Sequence, residues 1–179
     1  MKNELVWTKT ILTVYRYLER ICGAIDKIIM QSALGSSNIV GQNYFYNNVY
    51  AISQKLIDLS ERKVTLINLK VLIEDTLTSL ESADAQILIE KYFDGVKFKD
   101  LAEKHDFSMR TVFRKVENAE KSFKSKLAFR GYNDVALKKF LEKEKWITNV
   151  YDSIYAKEND EFQLSNSFLA KAVSMWFKA

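Results

Sequence analysis

The sequence predicts an all-α protein, and three observations favour this fold class. The chain has no proline and only five glycines among its 179 residues; proline interrupts helices and turn residues bound strands, so their scarcity favours long helices. Hydrophobic residues make up 47% of the chain. They recur at helical spacings and are frequent enough to form a buried core.

The first helical pattern runs from about Glu4 to Met30. Cys22, the single cysteine, excludes an intrachain disulfide and a cysteine-based zinc site, and its position predicts a buried thiol. The residues that follow predict a loop: Gly35, Ser36, Ser37, Asn38 and Gly41. One helix face carries the predicted core residues: Leu5, Leu12, Tyr15, Leu18, Cys22, Ile25 and Ile29.

A second helical stretch extends from about Tyr44 toward Thr78, and residues 60–63 either form a turn within it or continue the helix. Two long amphipathic helices joined by a short loop predict an antiparallel hairpin or a dimerising coiled coil. We therefore assign residues 1–78 to docking or dimerisation. The apolar stripes of this stretch contain Val49, Ile52, Leu56, Leu59, Leu66, Leu69 and Ile73.

The positive charge is concentrated in the middle of the chain. The net charge of +4 is modest, so its distribution matters more than its size. Residues 96–130 contain ten Lys/Arg against five Asp/Glu, whereas residues 131–179 contain seven of each. A local surplus of this kind indicates a candidate contact region for nucleic acid.

Residues 79–130 predict three helices separated by tight turns. Ser82 is the expected N-cap of the first helix, which runs to Phe93, and Gly95 supplies the left-handed turn after it. The second helix is expected over residues 98–105, with Phe98, Leu101 and the small Ala102 on its buried face. Asp106 and Phe107 form the next turn.

The third helix begins after Ser108, its expected N-cap. Val112, Val116, Ala119 and Phe123 lie within roughly 60° of one another at about 100° per residue, which predicts a buried face. The opposite face carries Arg110, Arg114, Glu117 and Lys121. Thr111 and Asn118 lie on one flank of that face, and Phe113 lies on the other.

This division of faces suits a recognition helix in a DNA major groove, whose N-terminal turns reach the bases. We assign Met109, Arg110, Arg114 and Lys115 to base edges or nearby phosphates, and Ser108 and Thr111 to phosphates. The remaining candidate contacts are the flanking Asn118 and the lysines expected to attract DNA of any sequence: Lys97, Lys99, Lys121 and Lys124.

The same stretch resembles region 4 of sigma-70 factors and related small sigma-like regulators of Gram-positive bacteria and their phages. The matching marks are "YFDG" at residues 92–95, Leu101-Ala102, Ser108 with Thr111-Val112, and Ala119. The resemblance covers about 45 residues and implies a three-helix, DNA-binding helix-turn-helix over residues 79–130. Glu90 departs from the pattern, which has an apolar residue there, so the first helix is rotated or Glu90 is paired.

The rest of the chain adds helices but no chemistry. A helix is expected over Val135–Tyr155 and a shorter one over about Ser167–Phe177, which together form a C-terminal extension at residues 131–179. His105, the only histidine, is interpreted as a turn residue rather than a metal ligand. No nucleophile or phosphate loop accompanies the acidic residues, so we expect neither an enzyme nor a cofactor. No signal peptide or membrane span is expected, which favours a cytoplasmic location.

The sequence therefore predicts a regulator of transcription that binds double-stranded DNA, with a homodimer as one arrangement. One alternative is a sigma-like factor that contacts core RNA polymerase and the −35 promoter element. Some fifty residues follow the motif, and residues 1–75 show no convincing promoter-melting region, which favours the regulator. The other alternative is a helical interaction protein that does not bind DNA.

Overall fold

The computed structural model describes residues 5–36 and 42–160, with side chains described over residues 5–33 and 49–157. This part of the chain is helical and has no strand, which confirms the all-α prediction. None of its helices is both long and apolar enough to cross a membrane. The described helices are α1 (Val6–Ser36), α2 (Gln42–Thr78), α3 (Ser82–Leu88), α4 (Phe98–Lys104), α5 (Met109–Phe129), α6 (Asp134–Phe140) and α7 (Lys145–Asp160).

The contacts divide the chain into two compact units. Unit 1 contains residues 1–16 and 70–179, and unit 2 contains residues 17–69. These units are defined by packing, so the functional roles assigned to residues 1–78, 79–130 and 131–179 stay predictions.

Unit 2 is built from the second part of α1 and most of α2. Leu18, Ile21 and Ile25 of α1 are fully buried in the single chain, as is Leu66 of α2. The Nζ atom of Lys63 lies 2.6 Å from Oδ1 of Asp26, which links the two helices. Because these side chains are buried without a second chain, the packing favours the intrachain hairpin of the two predicted arrangements.

Three expectations for α1 and α2 need revision or completion. α1 continues through Gly35 and Ser36, so the loop expected at these two residues is wrong, and residues 37–41 lie outside the described part. α2 passes through residues 60–63 without a turn. The Cys22 side chain is only partly buried, so the expected burial of its thiol is incomplete.

In unit 1, α5 packs on α3 and α4 with one apolar edge. Val112, Ala119 and Phe123 are fully buried and Val116 is almost so, as the helical spacing predicts. Ala102 and Leu101 of α4 are buried as well. The small side chain of Ala119 leaves room for neighbouring helices to approach closely, and the aromatic ring of Phe123 fills the core.

The start of α3 and the C-terminal extension differ from expectation. Glu81 rather than Ser82 is the N-cap, and its side chain forms no capping hydrogen bond. The helix expected over Val135–Tyr155 is divided into α6 and α7. Leu141 leaves the helical conformation, and the backbone oxygen of Glu144 accepts hydrogen bonds from Ile147 and Thr148. The helix expected over Ser167–Phe177 lies outside the described residues.

The break has a packing reason. Leu137 and Leu141 before it and Ile147 after it are all buried. The turn between α6 and α7 lets Leu137 and Leu141, before it, and Ile147, after it, all point into the core. In a single straight helix, this spacing would direct Ile147 to a different side from Leu141. The indole of Trp146 donates a hydrogen bond of 3.1 Å to the buried carboxyl group of Glu144.

The burial of Phe123 gives a direct test of this core. Replacing Phe123, which is 0% exposed, by alanine should lower the free energy of unfolding by about 3–5 kcal/mol because it leaves a cavity. Urea unfolding followed by circular dichroism measures the change. Phe129→Ala is the matched control, since Phe129 lies on the same helix and is 93% exposed. Its effect should stay within about 0.5 kcal/mol, and equal losses in the two variants would contradict this packing.

Candidate nucleic-acid interface

The turn before α5 sets the direction of that helix. Asp106 adopts a left-handed conformation with φ of 53°, which asparagine and aspartate tolerate better than most residues. The backbone N–H of Phe107 donates to the carbonyl of Ala102 at 2.9 Å. Ser108 then caps α5, because its Oγ accepts a hydrogen bond of 3.2 Å from the N–H of Thr111. These features agree with the turn and the cap predicted from the sequence.

A second left-handed residue closes the preceding turn. Gly95 has φ of +72°, and a Cβ atom there would lie 3.1 Å from the guanidinium of Arg16. The left-handed backbone conformation therefore favours glycine at this position. The glycine predicted from the "YFDG" motif has the expected role.

The first two turns of α5 carry two arginines whose side chains are in solvent. Arg110 and Arg114 are exposed, and the opposite edge of α5 is buried. Neither arginine forms an ion pair with any residue that the structure describes. Arg110 and Arg114 lie one helical turn apart on this exposed side of α5.

The predicted lysines are less available than the arginines. Lys121 is 2.7 Å from Glu117, Lys99 is 3.8 Å from Glu103, and Lys124 is 2.9 Å from Asp134. Hydrogen bonding and attraction from Lys121 hold the pKa of the Glu117 carboxyl below its usual value, so this exposed acid stays ionised. These local partners cancel part of the positive charge that the sequence alone counts.

The other predicted contact residues occupy the surface around the arginines. Met109, Asn118 and Lys97 are exposed. The Nζ atom of Lys115 lies 4.9 Å from the ring centre of Phe107. The hydroxyls of Ser108 and Thr111 are 2.8 Å apart, so the two groups assigned to phosphates also bind each other.

An aromatic contact fixes one flank of this surface. The ring centroids of Phe98 on α4 and Phe113 on α5 are 4.2 Å apart. Phe113 nevertheless stays 50% exposed. The Nζ atom of Lys91 lies 3.8 Å from the Phe98 ring centre. Burial lowers the pKa of Lys91, and the negative charge of Glu120 offsets only part of this shift.

Glu90 is paired, which is the second of the two alternatives that the sequence left open. Its carboxylate is buried and lies 2.7 Å from Nζ of Lys104 and 2.6 Å from Nε2 of His105, at the end of α4. Gln86, one turn earlier, donates a third hydrogen bond at 3.1 Å. Residues 89–93 form a π-helical turn at the same place. The group joins α3 to the end of α4, immediately before the turn that directs α5.

Ionisation of Glu90 follows from these contacts. Burial opposes the charged form, but hydrogen bonds from His105, Lys104 and Gln86 outweigh it and lower the pKa of the carboxyl from 4.5 to about 2. An ionised carboxylate only accepts hydrogen bonds, so Nε2 of His105 carries a hydrogen. His105 thus ends α4, as expected, and also has a pairing role that its sequence position did not reveal.

Sequence reasoning also missed a second buried carboxylate. Glu120 on α5 is buried, although its neighbours Lys121 and Glu117 are exposed. The hydroxyl of Tyr92 donates to Glu120 at 2.5 Å, and Nζ of Lys9 lies 3.8 Å away. The contact anchors the middle of α5 to residues beside the π turn. In the sequence, the one hint of this burial is that Glu120 directly follows Ala119, which lies on the apolar edge of α5.

The described residues contain no cluster of three or more side chains suited to hold a metal ion. Trp146 is buried, and Trp7 is buried with its ring 4.4 Å from that of Tyr151. These two tryptophans therefore contribute to packing, and Trp176 lies outside the described residues.

Comparison with known proteins returned no match: no protein-family model, no curated protein and no solved structure is similar to this chain. The resemblance to sigma region 4 depends on the motif residues alone.

The low pKa of Glu90 predicts a pH-dependent stability. Because the folded-state pKa of about 2 lies below the ordinary 4.5, the contribution of Glu90 is complete above about pH 5 and is lost as the pH falls from 4.5 through 2. The difference in unfolding free energy between wild type and Glu90→Gln should shrink by up to roughly 3 kcal/mol over that interval.

Urea unfolding at a series of pH values measures this difference. Glu103→Gln is the control, since Glu103 is exposed and its pair with Lys99 is exposed too. An exposed pair contributes at most about 1 kcal/mol. A difference between wild type and Glu90→Gln that does not change with pH would contradict the assigned role of Glu90.

Proposed function

We propose that this protein is a sequence-specific DNA-binding regulator of transcription, in which α4, the turn at residues 105–108 and α5 act as a helix-turn-helix. The observation that carries the proposal is a pair of exposed arginines on the first two turns of α5, neither of which has an acidic partner in the described part of the chain. Arginine donates two hydrogen bonds to the O6 and N7 atoms of guanine, and it also binds phosphates. The family resemblance supports the same function.

The packing of α5 supports this mode of binding. A recognition helix inserts its N-terminal turns into the major groove while the preceding helix crosses the backbone. Exposed Lys97, the N-cap residue of α4, is then suited to a phosphate contact that positions the protein without reading sequence. In this proposal no reaction is catalysed, and the output is occupancy of a DNA site.

Charge reversal on α5 tests the proposal. In Arg110→Glu/Arg114→Glu, specific duplex binding should weaken at least about 100-fold, because two bidentate contacts of about 1–3 kcal/mol each are replaced by repulsion. Selection from a random duplex library first identifies the site, and fluorescence anisotropy at fixed salt then measures affinity.

The matched control is Lys138→Glu/Lys139→Glu, which changes the net charge equally on exposed residues of α6. It should retain most of the affinity. For wild type, log affinity should fall linearly with log salt concentration. If the α5 double variant binds as well as wild type, the assignment of α5 is wrong.

A sigma-like factor is the closest alternative, since the same motif residues support it. Transcription in vitro with bacterial core RNA polymerase separates the two functions. Promoter-dependent initiation with this protein as the sole added factor would favour the sigma-like function. Duplex binding without initiation would favour the regulator, and the absence of any salt-dependent duplex binding would favour the interaction protein.

We also propose that the regulator is a homodimer, formed along an uncharged face of α2. Tyr50, Ile57 and Val64 recur every seven residues and are 74%, 52% and 56% exposed. Ser53 and Ser60 lie between them on the same face at about 100° per residue. A seven-residue repeat of exposed apolar side chains is typical of paired helices.

Lys63, beside this face, is already paired with Asp26 of α1 in the same chain. The apolar repeat, rather than charge, therefore supports the dimer. Two copies would also bring two α5 helices to one DNA molecule, which matches the reading of spaced half-sites.

A charge on this face should disrupt the dimer. Ile57→Glu should weaken association at least tenfold, because two isoleucine side chains lose burial of about 1.5–3 kcal/mol each. Sedimentation equilibrium over a range of concentrations measures it. Ala51→Glu adds the same charge at an exposed position on another side of α2 and should leave the dimer intact. A wild-type protein that stays monomeric would contradict the dimer, and a dimeric Ile57→Glu would contradict this face.

A further inference from the structure

Two apolar side chains interrupt the polar surface at the start of α5. Met109 and Phe113 are 42% and 50% exposed, and they are one helical turn apart. Arg110 and Arg114 follow them by one residue each, so an apolar row and a cationic row run side by side along the first two turns. A purely electrostatic DNA surface has no need of the apolar row.

The Phe113 ring is held in place rather than free to turn into solvent. Its centroid is 4.2 Å from that of Phe98, with an angle of 33° between the ring planes. Lys91 in turn lies against Phe98. One side of Phe113 is thus supported by α4, and half of its surface is left for an external contact.

The major groove offers one apolar feature at the base edges, the C5 methyl group of thymine. We infer that Met109 and Phe113 contact a thymine methyl group, so that the bound sequence carries thymine next to a base pair contacted by Arg110 or Arg114. This inference rests on the proposed DNA-binding function and adds the base that the apolar row reads. Cytosine lacks the methyl group, and deoxyuridine differs from thymidine by that group alone.

Replacement of single thymidines by deoxyuridine in the selected site provides the test. At one thymine position or more, wild type should bind the deoxyuridine duplex about fourfold more weakly, the value expected for one buried methyl group. Phe113→Ala should bind the thymidine and deoxyuridine duplexes equally at that position. Met109→Ala, at the exposed first residue of α5, is a second variant in case Phe113→Ala does not fold.

Phe129→Ala is the matched control, because Phe129 is an exposed phenylalanine at the other end of the same helix. This variant should keep the fourfold preference. A structural role of Phe113 alone would change overall affinity without changing methyl dependence. A selected site without thymine, or one that is insensitive to deoxyuridine throughout, would overturn the inference while duplex binding stands. Failure to bind any duplex would instead contradict the proposed function.

Discussion

The candidate nucleic-acid interface depends on one packing constraint, which is the burial of the apolar edge of α5. This edge is formed by Val112, Val116, Ala119 and Phe123. These four side chains are 0–3% exposed, and each large one contributes roughly 1.5–3 kcal/mol by leaving water. A helix held so firmly along one edge cannot rotate, because rotation by one residue position would expose the edge and bury charge. The direction of Arg110 and Arg114 is therefore a consequence of the core rather than of the arginines themselves.

The buried Glu90 carboxylate provides a second constraint of a different kind. An unpaired buried charge is costly, and here Lys104, His105 and Gln86 supply the partners. Two of these partners end α4, so the pairing joins that end to the π turn after α3. An apolar residue at this position would pack the same helices without specifying where α4 stops. The charged side chain of Glu90 thus gives these helices a directional contact.

How much the sequence could predict depends on the range of the interactions involved. The cap at Ser108, the turn at Asp106 and the left-handed Gly95 are local, and all three were predictable. The buried Glu120 pairs with Tyr92, which is 28 residues away, and the division between α6 and α7 follows from burial of Leu137, Leu141 and Ile147 in the core. Spacing rules carry no information on either. The pairing of Glu90 lay between these cases, because an acidic residue on an apolar edge signals a partner without identifying it. From the sequence alone, Lys99 and Lys121 were expected to be available to attract DNA, although in the structure each is paired with an acidic residue four positions away.

The distribution of paired and unpaired charge along α5 limits which part of the helix could serve the proposed DNA binding. From Glu117 onward the exposed edge is neutralised locally, since Glu117 pairs with Lys121 and Lys124 pairs with Asp134. An ionised Glu117 facing phosphates would repel them, and its pair with Lys121 reduces that repulsion without adding attraction. The first two turns, by contrast, combine the supported ring of Phe113 with two arginines that have no acidic partner among the residues the structure describes. In the proposed function, attraction and base reading are thus concentrated in the N-terminal part of α5. The C-terminal part, anchored through Glu120 to Tyr92, serves to hold that end in place.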